Sequence, residues 1–429
     1  MYKEQMMAEL ISKRDIAPAW AGHYCGTPAL DSRDNAILAA YYDEDLRLSA
    51  AVSRDGGAFR IYKTDIQSDW NTSSHHAIAM GIDESGRVHL CAAMHAEPLK
   101  YMRSGKNYDL SALSRVDRMT GADEERVTYP QFFTDALGRL CFTFRSGESG
   151  SGDQIINVWD DSRGIWERLP KLTDGSPYPG GASAYFQKSR PVLCPDGYMR
   201  AEFMWRADAR AETCFDLCCI RSRDMVNWET ESGEPLTLPV TPYTEGIAAD
   251  RAAQRGGLTN MCHALGFDAN NKPVITYHKY TSDGKSALWC VRPGGEPVKV
   301  FTLGETWAFS GIGAIPHAID ITPVRPEGGR LVFRIMYNGS WQRAELDPDT
   351  LAPLSVKAEE VPWNNAAESG GLLTEMVKSK TERPDRSYFL RWEHGPNNRD
   401  QKPEGPVPPP RMLTLYEYDE DIVWLSEAH

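Results

Sequence analysis

The stretch HAIAMGIDESGRVHLCAAMH, residues 76–95, decides the fold class of this chain. Two apolar runs of strand length flank a short polar segment that contains Asp83 and Gly86. Asp starts a tight turn well, and Gly tolerates the positive φ angle that such a turn needs. The stretch therefore predicts a β-hairpin.

The same hairpin pattern returns along the chain. Further apolar strands usually follow each copy, and the copies are spaced about 40–75 residues apart, which is typical of propeller blades. The other copies are QFFTDALGRLCFTFRSG (131–147), RPVLCPDGYMRAEFMWR (190–206), HALGFDANNKPVITYHKY (263–280) and ITPVRPEGGRLVFRIMYNG (321–339).

Two segments also match the Asp-box pattern of sialidase-like propellers, SRDGGAF at 53–59 and SRDMVNW at 222–228. We therefore predict an all-β chain that folds as a seven-bladed β-propeller, with residues 1–429 as one domain. The stretches 386–394 and 411–419 are expected to complete the ring with the N-terminal strands. A β-sandwich with an accessory domain is the structural alternative. We also expect a short helix at 3–14 and a Pro-rich surface loop at 402–410.

The composition limits the classes of molecule that this protein is expected to bind. The net charge of −13 disfavours nucleic acid, because an acidic protein repels the phosphate backbone. An anionic substrate must therefore meet a local cationic pocket. The N-terminal residues lack an apolar run long enough for a signal peptide or a membrane span. With nine cysteines and no zinc-type spacing, we expect a cytoplasmic protein in a reducing compartment; secretion is the alternative should a signal segment precede this sequence.

Four residues form the candidate catalytic group: His75, His95, Tyr129 and Arg145. His75 opens the first strand of one hairpin, and His95 closes the second strand. Tyr129 and Arg145 hold the equivalent places in the next hairpin. A hairpin returns to its starting edge, so all four side chains are expected at one mouth of the propeller. Each of them alone also fits a structural role.

These residue types suit β-elimination on a uronic acid. An arginine grips a carboxylate with two N–H groups and stabilises the enolate-like charge that develops beside it. A neutral histidine can take the C5 proton, and a tyrosine can exchange a proton with the departing oxygen. Glycosidases generally need two carboxylates, and no convincing pair stands out. The chemistry requires no metal.

Four more residues are candidate substrate-binding groups: His76, Arg103, His278 and Lys279. His76 follows His75 directly, so it is expected to point to the opposite face of its strand. For His76 and for His89, which lies within a strand, a structural role is the alternative.

Residues 70–160 resemble BNR-type propeller proteins that include ulvan lyases and rhamnose–glucuronate lyases. The resemblance rests on His-x-x-Ile-x-Met-x-x-Asp-x-x-Gly-x-x-His, Met-His-x-x-Pro-Leu-x-Tyr, Thr-Tyr-Pro-Gln-Phe-Phe and Phe-Arg-x-Gly-x-Ser-Gly-x-Gly-Asp. It implies that His75 and Tyr129 are the base and acid, while His95 and Arg145 neutralise the carboxylate. His-Lys at 278–279 is also similar to a later blade of the family. His76 departs from the pattern, since relatives are expected to have Asn there.

The resemblance implies a uronate-containing oligosaccharide or polysaccharide as the partner. A secreted polymer-degrading lyase should carry a signal peptide, so the missing signal departs from the family and favours an intracellular enzyme that acts on imported oligosaccharides. Some family members hold a structural metal, so a calcium or zinc ion remains open. Its candidate ligands are Cys262, His263, His278 and Cys290, for which ordinary strand positions are the favoured interpretation. Two other functions stay open: a sialidase-like glycoside hydrolase and a non-catalytic carbohydrate-binding propeller.

Overall fold

The computed structural model describes residues 9–69, 74–186, 190–312, 318–337, 340–359, 372–381, 385–396 and 405–419. The chain groups into two compact units. Unit 1 is Met1–Met119 with Trp363–Glu427, and unit 2 is Thr120–Pro362 with Ala428–His429. Each unit is described by itself below, and the single domain over residues 1–429 stays a prediction.

Unit 1 is built from antiparallel strands, numbered here in chain order. They are β1 (Leu10–Ala19), β2 (Ala29–Arg33), β3 (Ala36–Tyr42), β4 (Arg47–Arg54), β5 (Arg60–Gln67), β6 (Ala79–Ile82), β7 (Val88–Cys91), β8 (His95–Glu97), β9 (Tyr101–Gly105), β10 (Asp109–Arg115), β30 (Leu373–Lys378), β31 (Ser387–His394) and β32 (Arg411–Tyr418). All of these strands except β8 form three sheets, in the orders β2-β3-β4-β5, β10-β9-β7-β6 and β1-β32-β31-β30.

Unit 2 contains β11 (Val127–Thr134), β12 (Leu140–Ser146), β13 (Asp153–Asp160), β14 (Ile165–Arg168), β15 (Ser183–Phe186), β16 (Val192–Leu193), β17 (Met199–Arg206), β18 (Cys214–Ser222), β19 (Trp228–Glu229), β20 (Ala248–Asp250), β21 (His263–Phe267), β22 (Pro273–Tyr280), β23 (Ser286–Val291), β24 (Val298–Thr302), β25 (Ile319–Ile321), β26 (Arg325–Glu327), β27 (Arg330–Tyr337), β28 (Ser340–Leu346) and β29 (Pro353–Ala358). Four sheets follow the chain: β11 to β14, β15 to β20, β21 to β24 and β25 to β29. The described residues thus form seven sheets, while their arrangement as seven blades stays a prediction.

The hairpins predicted from the repeated pattern are confirmed. Each quoted stretch contains two strands that pair antiparallel: β6 with β7, β11 with β12, β16 with β17, β21 with β22 and β26 with β27. The turns that begin with Asp have the predicted Asp hydrogen bonds and positive φ angles. In one of them the Asp135 carboxylate accepts the backbone N–H groups of Leu137 and Arg139 at 3.0 and 2.9 Å, and Gly138 has a φ angle of 80°.

Burial explains why the central strands are so apolar. Every residue of β3 in unit 1 and of β17 in unit 2 is buried, because neighbouring sheets of the same unit cover both faces. The outer strand β5 instead alternates in exposure. In unit 1, one core joins Leu38 and Leu48 of one sheet to Met80 and Leu90 of the next.

The predicted helix at 3–14 is wrong where the structure describes it. Residues 3–8 lie outside the described residues, and Leu10–Ala19 forms strand β1. This strand pairs with β32, from Leu10 opposite Tyr418 to Ala19 opposite Arg411. The N-terminal strand and the predicted C-terminal stretches thus share one sheet, while closure of a ring by them stays a prediction.

Two further expectations concern loops. In the second Asp box, Asp224 accepts the N–H groups of Val226 and Asn227 at 2.9 and 2.8 Å, and Trp228 is buried in the core of unit 2. The described part of the Pro-rich loop, residues 405–410, is irregular and mostly exposed. None of the described residues forms a helix long and apolar enough to cross a bilayer.

Candidate functional site

In unit 1, the structure brings together His75 and His95. Their ring centroids are 4.5 Å apart, with an angle of 34° between the ring planes. His75 lies a few residues before β6, and His95 is the first residue of β8. Both side chains are half-buried, and Ser74 Oγ lies 3.4 Å from His75 Nδ1. Two imidazoles in contact can both reach a single ligand.

The backbone around His95 is strained. Ala93 and Ala96 have φ angles of 59° and 55°, in the left-handed region that alanine avoids. Such residues cost about 1–3 kcal/mol each and persist only where their surroundings fix them, often at functional sites. Here the Ala93 N–H donates to the Tyr42 hydroxyl at 2.9 Å, and the Lys100 ammonium donates to the Ala93 carbonyl at 2.5 Å.

His76 is buried and hydrogen-bonded within unit 1, and its role in substrate binding stays a prediction. Its side chain is only 3% exposed, and Nδ1 lies 2.8 Å from Ser68 Oγ. Burial lowers the pKa of His76 to about 4, so the ring is neutral at pH 7. The His76 carbonyl also accepts the Tyr42 hydroxyl at 2.7 Å. The Tyr42 hydroxyl thus bonds both His76, which follows His75, and Ala93 in the strained segment before His95.

Arg103 lies on β9 directly opposite His89 of β7. His89 is fully buried, 2.6 Å from the Tyr101 hydroxyl and 3.4 Å from the Asp83 carboxylate, as its structural interpretation requires. Arg103 is half-buried, and its role in substrate binding stays a prediction.

In unit 2, a β-bulge presents Tyr129. Thr128 lies opposite Arg145 and Gln131 opposite Thr143, so β11 carries one extra residue at Tyr129 and Pro130. Tyr129 has a φ angle of 55°, and Pro130 has no N–H that would need a ladder partner. Bulges next to active sites redirect side chains. The Tyr-Pro sequence therefore favours a bulge, which directs the phenol of Tyr129 away from its regular strand position.

Arg145 lies beside this phenol. Its guanidinium carbon is 5.0 Å from the centre of the Tyr129 ring, and Nη1 donates to the Tyr185 hydroxyl at 3.3 Å. The residue is 5% exposed, and Nε is buried without a hydrogen-bond partner among the described residues. A side chain at Gly152 would approach Arg145 Cγ to 2.7 Å, so glycine leaves room for the arginine.

The charge of Arg145 is not compensated by any carboxylate in the described part of the chain. The contrast within unit 2 is Arg200, which is equally buried but forms ion pairs with Asp196 and Glu231, each at 2.8 Å. A buried cation without an anion is costly, and proteins normally pair it. The environment of Arg145 therefore favours binding of an external anion.

Tyr185 on β15 is a residue that the sequence reasoning missed. Its hydroxyl accepts Arg145 Nη1 and the Gly150 N–H, the latter at 3.1 Å, and lies 3.0 Å from Ser149 Oγ. Because the hydroxyl oxygen accepts these two hydrogen bonds, its own proton is available to donate to Ser149 Oγ. The guanidinium carbon of Arg206 lies 5.1 Å from the centre of the Tyr185 ring. Tyr185 is the third residue of β15, as Tyr129 is of β11. A search of the next sheet for a polar residue at the same strand end would therefore have found it.

His278 and Lys279 both have partners within unit 2, and their role in substrate binding stays a prediction. His278 is fully buried, with Nδ1 2.6 Å from the Gly257 carbonyl, and burial lowers its pKa to about 4. The Lys279 ammonium forms an ion pair with Asp250 and lies 4.6 Å from the centre of the Trp289 ring. The charge of Lys279 is therefore already matched.

Of the candidate metal ligands, His263, His278 and Cys290 lie in strands, and Cys262 directly precedes β21. His263 Nδ1 lies 2.6 Å from the buried carboxylate of Glu202, and burial raises the pKa values of the Cys262 and Cys290 thiols. Among the described residues, no group of three His, Cys, Asp or Glu side chains is close enough to hold a metal ion. All nine cysteines are buried and free.

Unit 1 also contains a cavity of about 590 Å³, and none of the candidate site residues lines it. Glu44, Asp45 and Asp69 line it together with Trp20 and Ser68. Three carboxylates would repel a uronate, so this cavity does not compete with Arg145 as an anion site.

The sequence of residues 37–299 matches the model of the BNR repeat-containing family. The chain belongs to this family. No curated protein matches the sequence significantly. Its membership agrees with the repeated hairpins and with the resemblance predicted from residues 70–160.

Solved structures identify the fold of this BNR-repeat protein. The polysaccharide lyase Uly1 matches with a TM-score of 0.65 at 16% identity, over 98% of this chain and 94% of that one. An ulvan lyase of polysaccharide lyase family PL25 matches with a TM-score of 0.63 at 15% identity, over 95% and 96%. It was solved free and bound to -[GlcA(1-4)Rha3S]-. The protein is therefore an all-β propeller, as predicted.

Proposed function

We propose that this protein is a carbohydrate lyase that cleaves a 4-O-linked glucuronate or iduronate by β-elimination. One observation carries the proposal: Arg145 is buried, cationic and unmatched by any described carboxylate, and it contacts the phenol ring of Tyr129. A uronate supplies both the anion that this guanidinium needs and a proton for neighbouring groups to remove.

In the proposed reaction, Arg145 binds the C6 carboxylate and His95 adds a second donor. Both stabilise the negative charge that spreads from C5 onto the carboxylate as the C5–H bond breaks. His75 and Tyr129 form the base and acid pair. The electron pair of the C5–H bond forms the C4=C5 double bond, the C4–O4 bond breaks, and O4 receives a proton. No water is consumed, so the product carries an unsaturated uronate.

The fold supports this assignment. The two lyases that match almost the whole chain share its architecture, and one of them was solved with a glucuronate–rhamnose chain. Because a fold hosts many activities, the chemistry rests on the site residues rather than on the likeness. A rhamnose neighbour for the uronate is the preferred substrate within this proposal, and Arg103 is the proposed additional binding residue.

The test is incubation with ulvan, rhamnose–glucuronate oligosaccharides and a panel of other uronans. We expect a rise in the ultraviolet absorbance of the conjugated C4=C5 double bond, and its loss in Arg145→Met. Arg163→Met is the matched control, since Arg163 is an exposed arginine of the same unit paired with Glu167. New reducing ends without unsaturated product would indicate a hydrolase instead. Binding without turnover on the whole panel would indicate a non-catalytic propeller.

A further inference from the structure

Unit 2 carries a ladder of three aromatic rings that the proposed reaction does not use. Tyr178 stacks on Phe215 with centroids 4.6 Å apart and on Tyr243 with centroids 6.4 Å apart, at interplanar angles of 24° and 27°. We call these three residues the aromatic ladder. Exposure rises along it: Phe215 is buried, Tyr178 is half-buried, and Tyr243 is 60% exposed. The ladder therefore presents a flat ring to solvent on a packed base.

The loops that carry the ladder are tied together. The Val240 N–H donates to the Leu172 carbonyl at 2.9 Å, and the Asp174 N–H donates to the Val240 carbonyl at 2.8 Å. Gly175 packs so closely on Ala182 that a side chain there would meet its carbonyl oxygen at 1.9 Å. These contacts fix the spacing of Tyr178 and Tyr243 before any ligand arrives, which lowers the entropic cost of binding.

Polar groups border the rings. A register shift on β18 places Asp216 at a φ angle of 45°, and its carboxylate accepts the Ala252 N–H at 3.1 Å and Arg251 at 2.6 Å. This holds the exposed Gln254 beside the ladder, where Nε2 donates to the Tyr178 hydroxyl at 3.0 Å. The Gln254 amide oxygen is left as an acceptor for a sugar hydroxyl.

The ladder lies at the same end of its sheet as the candidate site. Phe215 pairs with Trp205 near the end of the β17–β18 hairpin, and the adjacent Arg206 stacks on Tyr185. Tyr185 in turn bonds Arg145. A sugar chain bound at Arg145 therefore has a route along this sheet end to the ladder, within one unit.

We propose that the aromatic ladder binds a pyranose ring of the polysaccharide at a position remote from the bond that is cleaved. Tyrosine rings stack on the apolar C–H face of a sugar, while the bordering amide and guanidinium serve its polar edge. The proposal rests on the proposed function for the identity of the chain, a uronate-containing polysaccharide. It predicts that long substrates gain affinity that the shortest ones lack.

The experiment compares Tyr243→Ala with wild type in affinity electrophoresis through gels that contain the polysaccharide, and in steady-state kinetics. We expect the dissociation constant and the KM for polymer to rise about three- to ten-fold, with kcat unchanged. The KM for the shortest cleaved oligosaccharide should not change. Tyr243→Trp should restore the affinity for polymer, and Leu137→Ala, at a residue also 60% exposed in unit 2, should have no effect.

The outcomes separate this inference from the proposed function. Equal polymer affinity of Tyr243→Ala and wild type overturns the ladder, whether or not the protein is a lyase. The inference is also overturned if none of the uronans in the panel retains the wild-type protein. Weaker retention of Tyr243→Ala, in a protein that produces no unsaturated sugar, supports the ladder and refutes the elimination chemistry.

Discussion

The guanidinium of Arg145 lies over the ring of Tyr129, with 5.0 Å between the guanidinium carbon and the ring centre. The contact joins a strand end to the β-bulge on the neighbouring strand, so both groups are set by the same hairpin. The phenol face attracts the cation, which accounts for about 0.5–2 kcal/mol but does not replace a counter-ion. The arrangement is therefore stable enough to exist without substrate and still attracts an anion.

Arg145→Met should abolish activity while leaving stability within about 1 kcal/mol of wild type, because the loss of the ring contact is offset by removal of a buried charge. Arg200→Met, at the paired arginine, should cost about 3–5 kcal/mol by leaving Asp196 and Glu231 without their cation. Urea unfolding of both variants measures the difference. Equal destabilisation would mean that Arg145 has a partner of its own.

Tyr129→Phe keeps the ring under Arg145 and removes only the hydroxyl. We expect kcat to fall about 10²–10⁴-fold, as for loss of a general acid or base, with Tm unchanged. The control is Tyr108→Phe, since Tyr108 donates its hydroxyl to Asp34 in a contact unrelated to the site. Full activity of Tyr129→Phe in the absorbance assay would remove this residue from the mechanism.

Tyr185→Phe removes the acceptor of Arg145 Nη1 and of the Gly150 N–H. The guanidinium should lose its fixed orientation, and kcat should fall about ten- to hundred-fold. Loss of buried hydrogen bonds should also cost about 1–3 kcal/mol in the free energy of unfolding. Ser149→Ala removes the third partner of the same hydroxyl but leaves Arg145 bonded, so its kcat should change much less.

Acid should destabilise the protein through buried histidines. The folded-state pKa values of His76 and His278 are lowered to about 4, against 6.5 for an ordinary histidine. Between pH 6.5 and 4 the unfolded chain binds protons that the folded chain does not, so stability falls as pH falls, by about 1.4 kcal/mol per pH unit for each histidine. Above pH 6.5 this contribution is constant.

His278→Phe should therefore reduce the slope of unfolding free energy against pH by one proton in that window and leave the slope above pH 7 unchanged. Urea titrations from pH 4.5 to 8 measure both slopes. An unaltered slope between pH 4.5 and 6.5 would show that His278 is protonated in the folded state.

Local patterns in the sequence predicted the hairpins well, because an Asp at the start of a turn and a Gly or Asn at positive φ act over a few residues. They failed at residues 10–14, where the strand state depends on pairing with β32, far away in the chain. A helix-compatible composition cannot reveal a partner that lies about four hundred residues away, and tertiary context overrides local propensity.

In the candidate site, too, local patterns predicted some contacts and missed others that depend on distant residues. The pairs His75–His95 and Tyr129–Arg145 follow from hairpin ends and were predicted, although the joint action of all four residues stays a proposal. The ion pair of Lys279 with Asp250 was not foreseen, because Asp250 comes from another strand of unit 2. Charge on a side chain can be read from sequence, whereas neutralisation by a distant carboxylate cannot.

The pairing of β1 with β32 has a consequence for biosynthesis. The sheet that contains both strands needs residues from Leu10 to Tyr418, so the ribosome must deliver nearly the whole chain before this sheet can form. Until then β1 lacks its partner β32 and exposes unpaired backbone groups of the kind that recruit other chains. Nascent-chain aggregation should therefore stay sensitive to chaperone depletion until β32 has left the ribosome, and pairing of β32 with β1 should end that vulnerability.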